Sequence, residues 1–574
     1  MRIPRRSLLA AGPMALAGCG ADRDPYFGNT APPSGQRLVF ETIADPMTLD
    51  PTLTSNGPGD QYILPALFEG LTAFHPINSG PMAALATHYE ASAEGTRYRF
   101  ILRGHPSPRG TRLLGTDDLP IELTRGRKAA SSRKPARWSD GRQITAHDFV
   151  YSWRRAVEPG TAAPFANLLY DLKNGREINV GKQSPDQLGI RAADDFTLDL
   201  DLAVPVPYFL QMTSAPFLAA VPRQAIESAG PLWTNPRNIV TSGPFTLAEW
   251  RLRDCVRLVR NPSYYDAEQV ALDEIQFVPF SDINTLLHYY KAGEAHSTAA
   301  VESPLLKSLH VKSDCRRHRM FGLRSCTFNV GKPPFDNPLV RQAFNMGIDK
   351  AAIARWMAMG QAPARTLVPP VETYEPPPKV LVSVRGISYD VLAFDPAGAR
   401  ELVRAAGFDF GQSVEFLAPA LSNTLLLAEI LRAQWKRHLG VNVQVVAKEF
   451  SVFGEAMMSA SYTGISDNWD YGQYTDPNWF LSYFLPGAPS PTGWTDPKYT
   501  AMLTRANRAA DPAERMSMLS GCEKYMLAAM PMMPLYYDAW SYFEKPYVRG
   551  CGGNLVGSRP FKYTWIDTNW RRPS

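Results

Sequence analysis

Ser422-Asn-Thr-Leu-Leu-Leu-Ala-Glu-Ile-Leu-Arg-Ala-Gln-Trp-Lys-Arg-His-Leu439, then Gly440, then Val441-Asn442-Val443-Gln444-Val445, is the stretch on which the fold class turns. The first part predicts a helix, Gly440 is a left-handed stop, and the tail alternates apolar and polar residues with the period of a half-buried strand. Working outward, the same grammar recurs. Thr145 and Asp148 fit a capping box, with Phe149, Trp153 and Ala156 on one face of the helix that follows. Asp395-Pro396 and Asp511-Pro512 place a cap before a proline at the first helical position, and Gly407 closes the first of these helices. Phe196 to Leu202 alternates as a strand. Helices and strands interleaved along the whole chain predict α/β lobes and exclude an all-β or helix-bundle architecture.

The N-terminus sets the compartment. Arg2, Arg5 and Arg6 precede an apolar run from Leu8 to Ala17, too short to span a bilayer and ordered as an export signal. The run ends in Leu16-Ala17-Gly18-Cys19, which resembles a bacterial lipobox in which Cys19 receives a lipid. Arg5-Arg6-Ser7-Leu8-Leu9 also resembles a twin-arginine signal, although paired arginines occur in ordinary signals too. Residues 1–18 are thus expected to be a signal peptide. Residues 19–36, rich in Gly, Pro, Asn and Asp, are expected to be a lipid-anchored flexible tether.

A chain of 574 residues exceeds what one hydrophobic core supports, so two or more domains are expected. It carries 60 basic and 55 acidic residues. Three of the arginines lie in the leader, so the remainder is close to neutral and nucleic acid is not implied. Beyond Cys19 stand Cys255, Cys315, Cys326, Cys522 and Cys551, an odd set with no CxxC spacing; Cys315 and Cys326 are one conceivable bridge.

Catalytic patterns are few. Ser131-Ser132-Arg133-Lys134 fits S-x-x-K and Ser466-Asp467-Asn468 fits S-D-N, two of three elements of penicillin-binding serine hydrolases, but K-T-G is missing and the first match lies in a basic loop. No H-E-x-x-H, G-x-S-x-G or G-x-x-x-x-G-K-[ST] occurs, and the histidines are scattered, so neither an enzyme nor a metal or other cofactor is expected. The segment 105–137, with five Gly and Pro residues before the basic run Arg125-Gly126-Arg127-Lys128, reads as a long surface insertion, either a solvated loop or a contact for anionic envelope lipid or a partner.

Several ordered motifs carry a family resemblance. They are Thr48-Leu49-Asp50-Pro51 with Leu67-Phe68-Glu69-Gly70-Leu71; Ala136-Arg137-Trp138-Ser139-Asp140-Gly141 with Thr145-Ala146-His147-Asp148-Phe149-Val150-Tyr151-Ser152-Trp153; Ser242-Gly243-Pro244-Phe245; Asn261-Pro262-Ser263-Tyr264-Tyr265; and Lys332-Pro333-Pro334-Phe335-Asp336 leading to Ile348-Asp349. Together they resemble the extracellular solute-binding proteins that include the oligopeptide- and dipeptide-binding proteins of ABC importers. The resemblance implies a two-lobed periplasmic-binding-protein clamp, a Venus flytrap, with a small extra domain in the first lobe. Mapped here, lobe one would be 37–68, 189–321 and 541–574, the small domain 69–188 with its charged insertion 105–137, and lobe two 322–540. It also implies a peptide or peptide-like solute as ligand, a membrane permease with its ATPase subunits as partners, a membrane held through lipid on Cys19, and a monomer. A sensor or chaperone using the same clamp would differ only in its partner.

In peptide-binding members a cleft Asp within Trp-x-x-Asp-Tyr-x-Asp-Pro pairs with the ligand's ammonium. Here the run reads Trp469-Asp470-Tyr471-Gly472-Gln473-Tyr474-Thr475-Asp476-Pro477, which puts Gln473 at that place. An amide cannot compensate a buried ammonium. Either Asp470 takes the role, or the ligand has no cationic amine there. Trp469, Asp470, Tyr471, Gln473 and Tyr474 are therefore the candidate ligand-binding residues, with packing between the lobes as the alternative role for the aromatics.

Overall fold

A computed structural model describes residues 24–573 apart from 56, 58, 116–117, 302–304, 358–359, 487 and 489. The export signal and Cys19 lie outside the described residues. The stretch that decides the fold forms as expected: a helix Ser422–Leu439 turns at Gly440, whose φ is 79°, into a strand Asn442–Lys448. Leu427, Leu431, Trp435 and Leu439, four residues apart, are the buried stripe of that helix. Asp148 accepts the Thr145 N–H at 2.8 Å, Asp395 the Gly398 N–H at 2.9 Å and Asp511 the Glu514 N–H at 2.7 Å, so the three expected helix starts are capped by the residues that mark them.

Three larger sheets organise the molecule. The first runs in the order Ser297–Thr298, Arg37–Thr42, Glu274–Pro279, Cys255–Arg260, Phe245–Arg251, parallel among the first three strands and antiparallel beyond. The second is antiparallel: Thr111–Arg112, Ala86–Ala91, Arg97–Leu102, Thr197–Asp201, Ile190–Asp194. The expected boundary between the small domain and lobe one, at 188/189, falls just before the last two strands of this sheet. Residues 190–201 close the small domain's own sheet, because Leu198 and Leu200 pair with Phe100 and Tyr98. These two sheets share one core, in which Phe40, Phe100, Trp138, Phe149, Trp153 and Phe277 are all essentially inaccessible. Each such side chain contributes about 1.5–3 kcal/mol by burial, so the small domain has no separate core to fold on.

The third sheet has the order Ala362–Pro363, Met532–Phe543, Cys315–Phe328, Ile465–Tyr471, Ser413–Pro419, Asn442–Lys448, and it owns a second core around Phe344, Leu431 and Trp435. Its two longest strands, Cys315–Phe328 and Met532–Phe543, run antiparallel from Cys315 opposite Phe543 to Thr327 opposite Met532. The lobe boundaries expected at 321/322 and 540/541 fall within this ladder. Its register breaks between Arg319, opposite Ala539, and Leu323, opposite Tyr537, so two extra residues bulge from one strand. Phe321 there pairs elsewhere, donating its N–H to the Leu555 carbonyl at 2.7 Å.

Three expectations are corrected. Cys315 and Cys326 lie on one extended strand, roughly 35 Å apart at about 3.3 Å per residue, and cannot bridge; all five cysteines among the described residues are free thiols. The tether is docked from Asp24 onward rather than free. Phe27 stacks on Tyr290 and tilts against Phe543, its N–H donates to Asp314 at 2.9 Å, and the Asn29 N–H donates to the Lys291 carbonyl. The insertion 105–137 is likewise no free loop. It adds the edge strand Thr111–Arg112 to the small-domain sheet, the Ala130 N–H donates to Asp266, and Gln269 donates to the Lys128 carbonyl.

Candidate functional site

Ile465–Tyr471 is the strand that presents the sequence-predicted ligand residues, at the carboxyl end where parallel strands of α/β sheets commonly expose ligands. Alternation sends its residues to two faces. Trp469 and Tyr471 share one with Asp467 and Arg324 of the neighbouring strand. Trp469 stacks on Phe453 with rings 4° from parallel, and the Arg324 guanidinium lies over it at 4.9 Å. Arg324 also reaches Asp467 at 2.6 Å and Thr424 at 3.0 Å. Burial pushes the Asp467 carboxyl up to about 6 against the pull of that guanidinium. Tyr471 donates its hydroxyl to Asp538 and meets Trp540 edge-on.

Asp470 points to the opposite face and is engaged there. The Trp479 indole N–H donates to its carboxylate at 2.7 Å and Tyr483 adds a second donor; burial still pushes the carboxyl up to about 6. It lines none of the three best-formed cavities among the described residues, so it is poorly placed to receive a ligand cation. Tyr474 is packed, at 5% exposure, with its ring 4.6 Å from that of Tyr208 and 4° from parallel. The Thr475 N–H donates to Gln211 at 3.0 Å and Asn478 donates to the Tyr208 hydroxyl at 3.0 Å, so this turn joins the lobe-one side to lobe two. Arg515 holds the turn through two bonds to Asp476 at 2.7 and 2.8 Å. Buried and doubly bonded, that pair anchors the turn that follows Gln473.

Of the five candidates Gln473 borders the best-formed cavity among the described residues, about 120 Å³ in volume, walled by the first lobe, the small domain and the C-terminal segment. Pro65, Phe68, Met82, Pro216 and Phe561 supply its apolar surface. Glu69, Tyr265 and Lys562 supply polar groups. Glu69 accepts the Tyr264 hydroxyl, while its second oxygen has no hydrogen-bond partner; burial holds its carboxyl above the usual carboxylate range despite Lys562 nearby. The buried Tyr265 hydroxyl lies close to the same carboxyl and pulls its pKa down slightly, outside strict hydrogen-bond geometry. Lys562 pairs with Asp266 at 2.7 Å. The sequence marks Glu69 and Tyr265 only as parts of family motifs. Lys562 carries one further signal, a cation inside the aromatic run Phe561-Lys562-Tyr563.

No hydrolytic centre assembles. Ser131 and Lys134 close a backbone turn in the insertion, whereas Ser466 to Asn468 are buried in the middle of a lobe-two strand. Among the described residues no group of three or more His, Cys, Asp or Glu side chains could hold a metal ion, and no helix is long and apolar enough to cross a membrane.

Residues 133–491 match the model of the bacterial extracellular solute-binding proteins, family 5. The chain belongs to that family. It is 29% identical over 562 residues to the probable deoxycholate-binding periplasmic protein YgiS of Escherichia coli K12, covering 95% of this chain and 94% of that protein. To the periplasmic oligopeptide-binding protein OppA of the same organism it is 28% identical, over 98% of each. The solved structure of the E. coli murein tripeptide binding protein MppA superposes with a TM-score of 0.75 at 25% identity, over 94% of this chain and 99% of that one. The family-5 chain is thus a two-lobed solute-binding protein and not an enzyme, and its serine patterns carry no catalysis.

Proposed function

We propose that this protein is the lipid-anchored receptor of an ABC importer, which captures a peptide or peptide-like solute between its lobes as a monomer and delivers it to the membrane permease. The observation that carries the reading is the broken ladder between Cys315–Phe328 and Met532–Phe543, with the cavity residue Gln473 on the adjoining turn. Two strands crossing between separate cores, with an irregularity between them, form a hinge on which rigid halves swing. Relatives named for oligopeptides, for dipeptides and, in one case, for probable deoxycholate binding support a scaffold open to more than one solute chemistry. With Asp470 engaged by Trp479 and a neutral amide at Gln473, the supported ligand is one without a free ammonium at that position.

Mass spectrometry of small molecules released by denaturing the purified protein tests this. Peptides or blocked peptides carried through purification are the expected result; a purified protein that turns a substrate over would sink the receptor reading. Cys19→Ser is expected to abolish lipid labelling and release the protein into the soluble fraction. Retention in the membrane fraction would remove the lipid anchor from the account.

A further inference from the structure

We propose that the cavity bordered by Gln473 receives the uncharged end group of the ligand, so that the protein prefers solutes whose terminal nitrogen is acylated over the same solutes with a free ammonium. This rests on the solute-clamp reading and assigns the substrate class for it.

Size argues for an end group. At about 120 Å³ the cavity approaches the ~150 Å³ hole that holds a benzene ring and falls well short of the roughly 300 Å³ needed by a whole drug-sized ligand. Charge argues against an ammonium. Glu69 is the one carboxyl among the lining residues, and one of its oxygens is already taken by Tyr264. The nearby cations are committed: Lys562 to Asp266, and Arg559 to the carbonyls of Cys551 and Thr298 and to the face of the Tyr542 ring at 3.8 Å. An incoming ammonium would meet Lys562 as a like charge, and the unpartnered second oxygen of Glu69 offers it little, since that atom is buried away from solvent and burial holds the carboxyl above the usual carboxylate range. An acyl group fits instead. Its carbon atoms cover Phe68, Met82 and Phe561, and its amide finds in the Gln473 side chain both a donor and an acceptor.

The test is calorimetric titration of the full mature chain, stripped of endogenous ligand, with a mixed tripeptide library and with the same library N-benzoylated. At least ten-fold tighter binding of the benzoylated library is expected. Ala83→Leu fills the cavity from a half-exposed strand position and should erase the preference, with unchanged thermal unfolding of the free protein showing that it folds. Gln473→Leu, at a half-buried site, is the second variant and should weaken the benzoylated library at least ten-fold. Equal or tighter binding of the free amines, or a preference that survives both substitutions, overturns the subsite while leaving the clamp intact. No binding of either library, with no lobe closure, overturns the clamp reading and the subsite with it.

Discussion

Lys350 places an amine where nothing receives it. The residue is 8% exposed, its Nζ has no hydrogen-bond partner, and burial together with Arg365 brings its pKa down to about 7. The folded chain then binds fewer protons than the unfolded one between about 7 and the ordinary value of 10.5, so stability is gained as pH rises through that window and lost as it falls. Lys350→Met should stabilise the protein at pH 7 by about 1–3 kcal/mol, the cost of an unmet buried donor. That margin should shrink as urea unfolding is repeated toward pH 10; a less stable variant at pH 7 would show that the amine has a role. At this scale the sequence was only partly readable. Gln473 could be singled out because the neighbouring Tyr474, Asp476 and Pro477 set its register. The engagement of Asp470 could not be read, since its donors Trp479 and Tyr483 come from the two short helical turns that follow and return to the strand only in three dimensions.

Among elements, the crossover strand Cys315–Phe328 and the strand Ile465–Tyr471, which carries the candidate ligand residues, are interlocked by two glycines. A Cβ on Gly322 would lie 2.5 Å from the Tyr471 ring, and one on Gly472 would lie 2.3 Å from the Phe321 ring. Each glycine makes room for the aromatic side chain of the other strand, at the point where the ladder breaks. If the halves swing as proposed, that movement would reach Tyr471 and, one residue beyond Gly472, Gln473. Gly472→Val should destabilise the protein by about 1–3 kcal/mol, as overpacking does, and should also weaken ligand binding. Thermal unfolding and ligand titration check both; full affinity in a destabilised variant would uncouple hinge from site. Helix starts, the stop at Gly440 and the strand at 197–201 were legible in the sequence because caps and periodicity are local. The closing of the small-domain sheet by residues 190–201 was not, because pairing partners a hundred residues away leave no mark in either strand.

For the whole molecule, the two cores, around Trp153 and around Trp435, are joined by the crossover ladder and by the turn from Tyr474 to Asn478 against Tyr208 and Gln211. A stacked tyrosine pair is worth about 0.5–1.5 kcal/mol, small enough for a ligand's binding energy to decide whether the halves stay together. The chain entering at Asp24 is fastened to the lobe-one ends of both crossover strands through Asp314 and Phe543, which a tether predicted from composition alone would not suggest. Composition reports a lack of apolar residues in a segment; it does not report that one phenylalanine finds a socket. Small-angle X-ray scattering of the ligand-free protein, before and after saturation with the solute it carries through purification, tests the central claim most directly. A smaller radius of gyration with ligand is the outcome expected of a clamp. An identical radius in both states, with binding verified in the same sample, would contradict it.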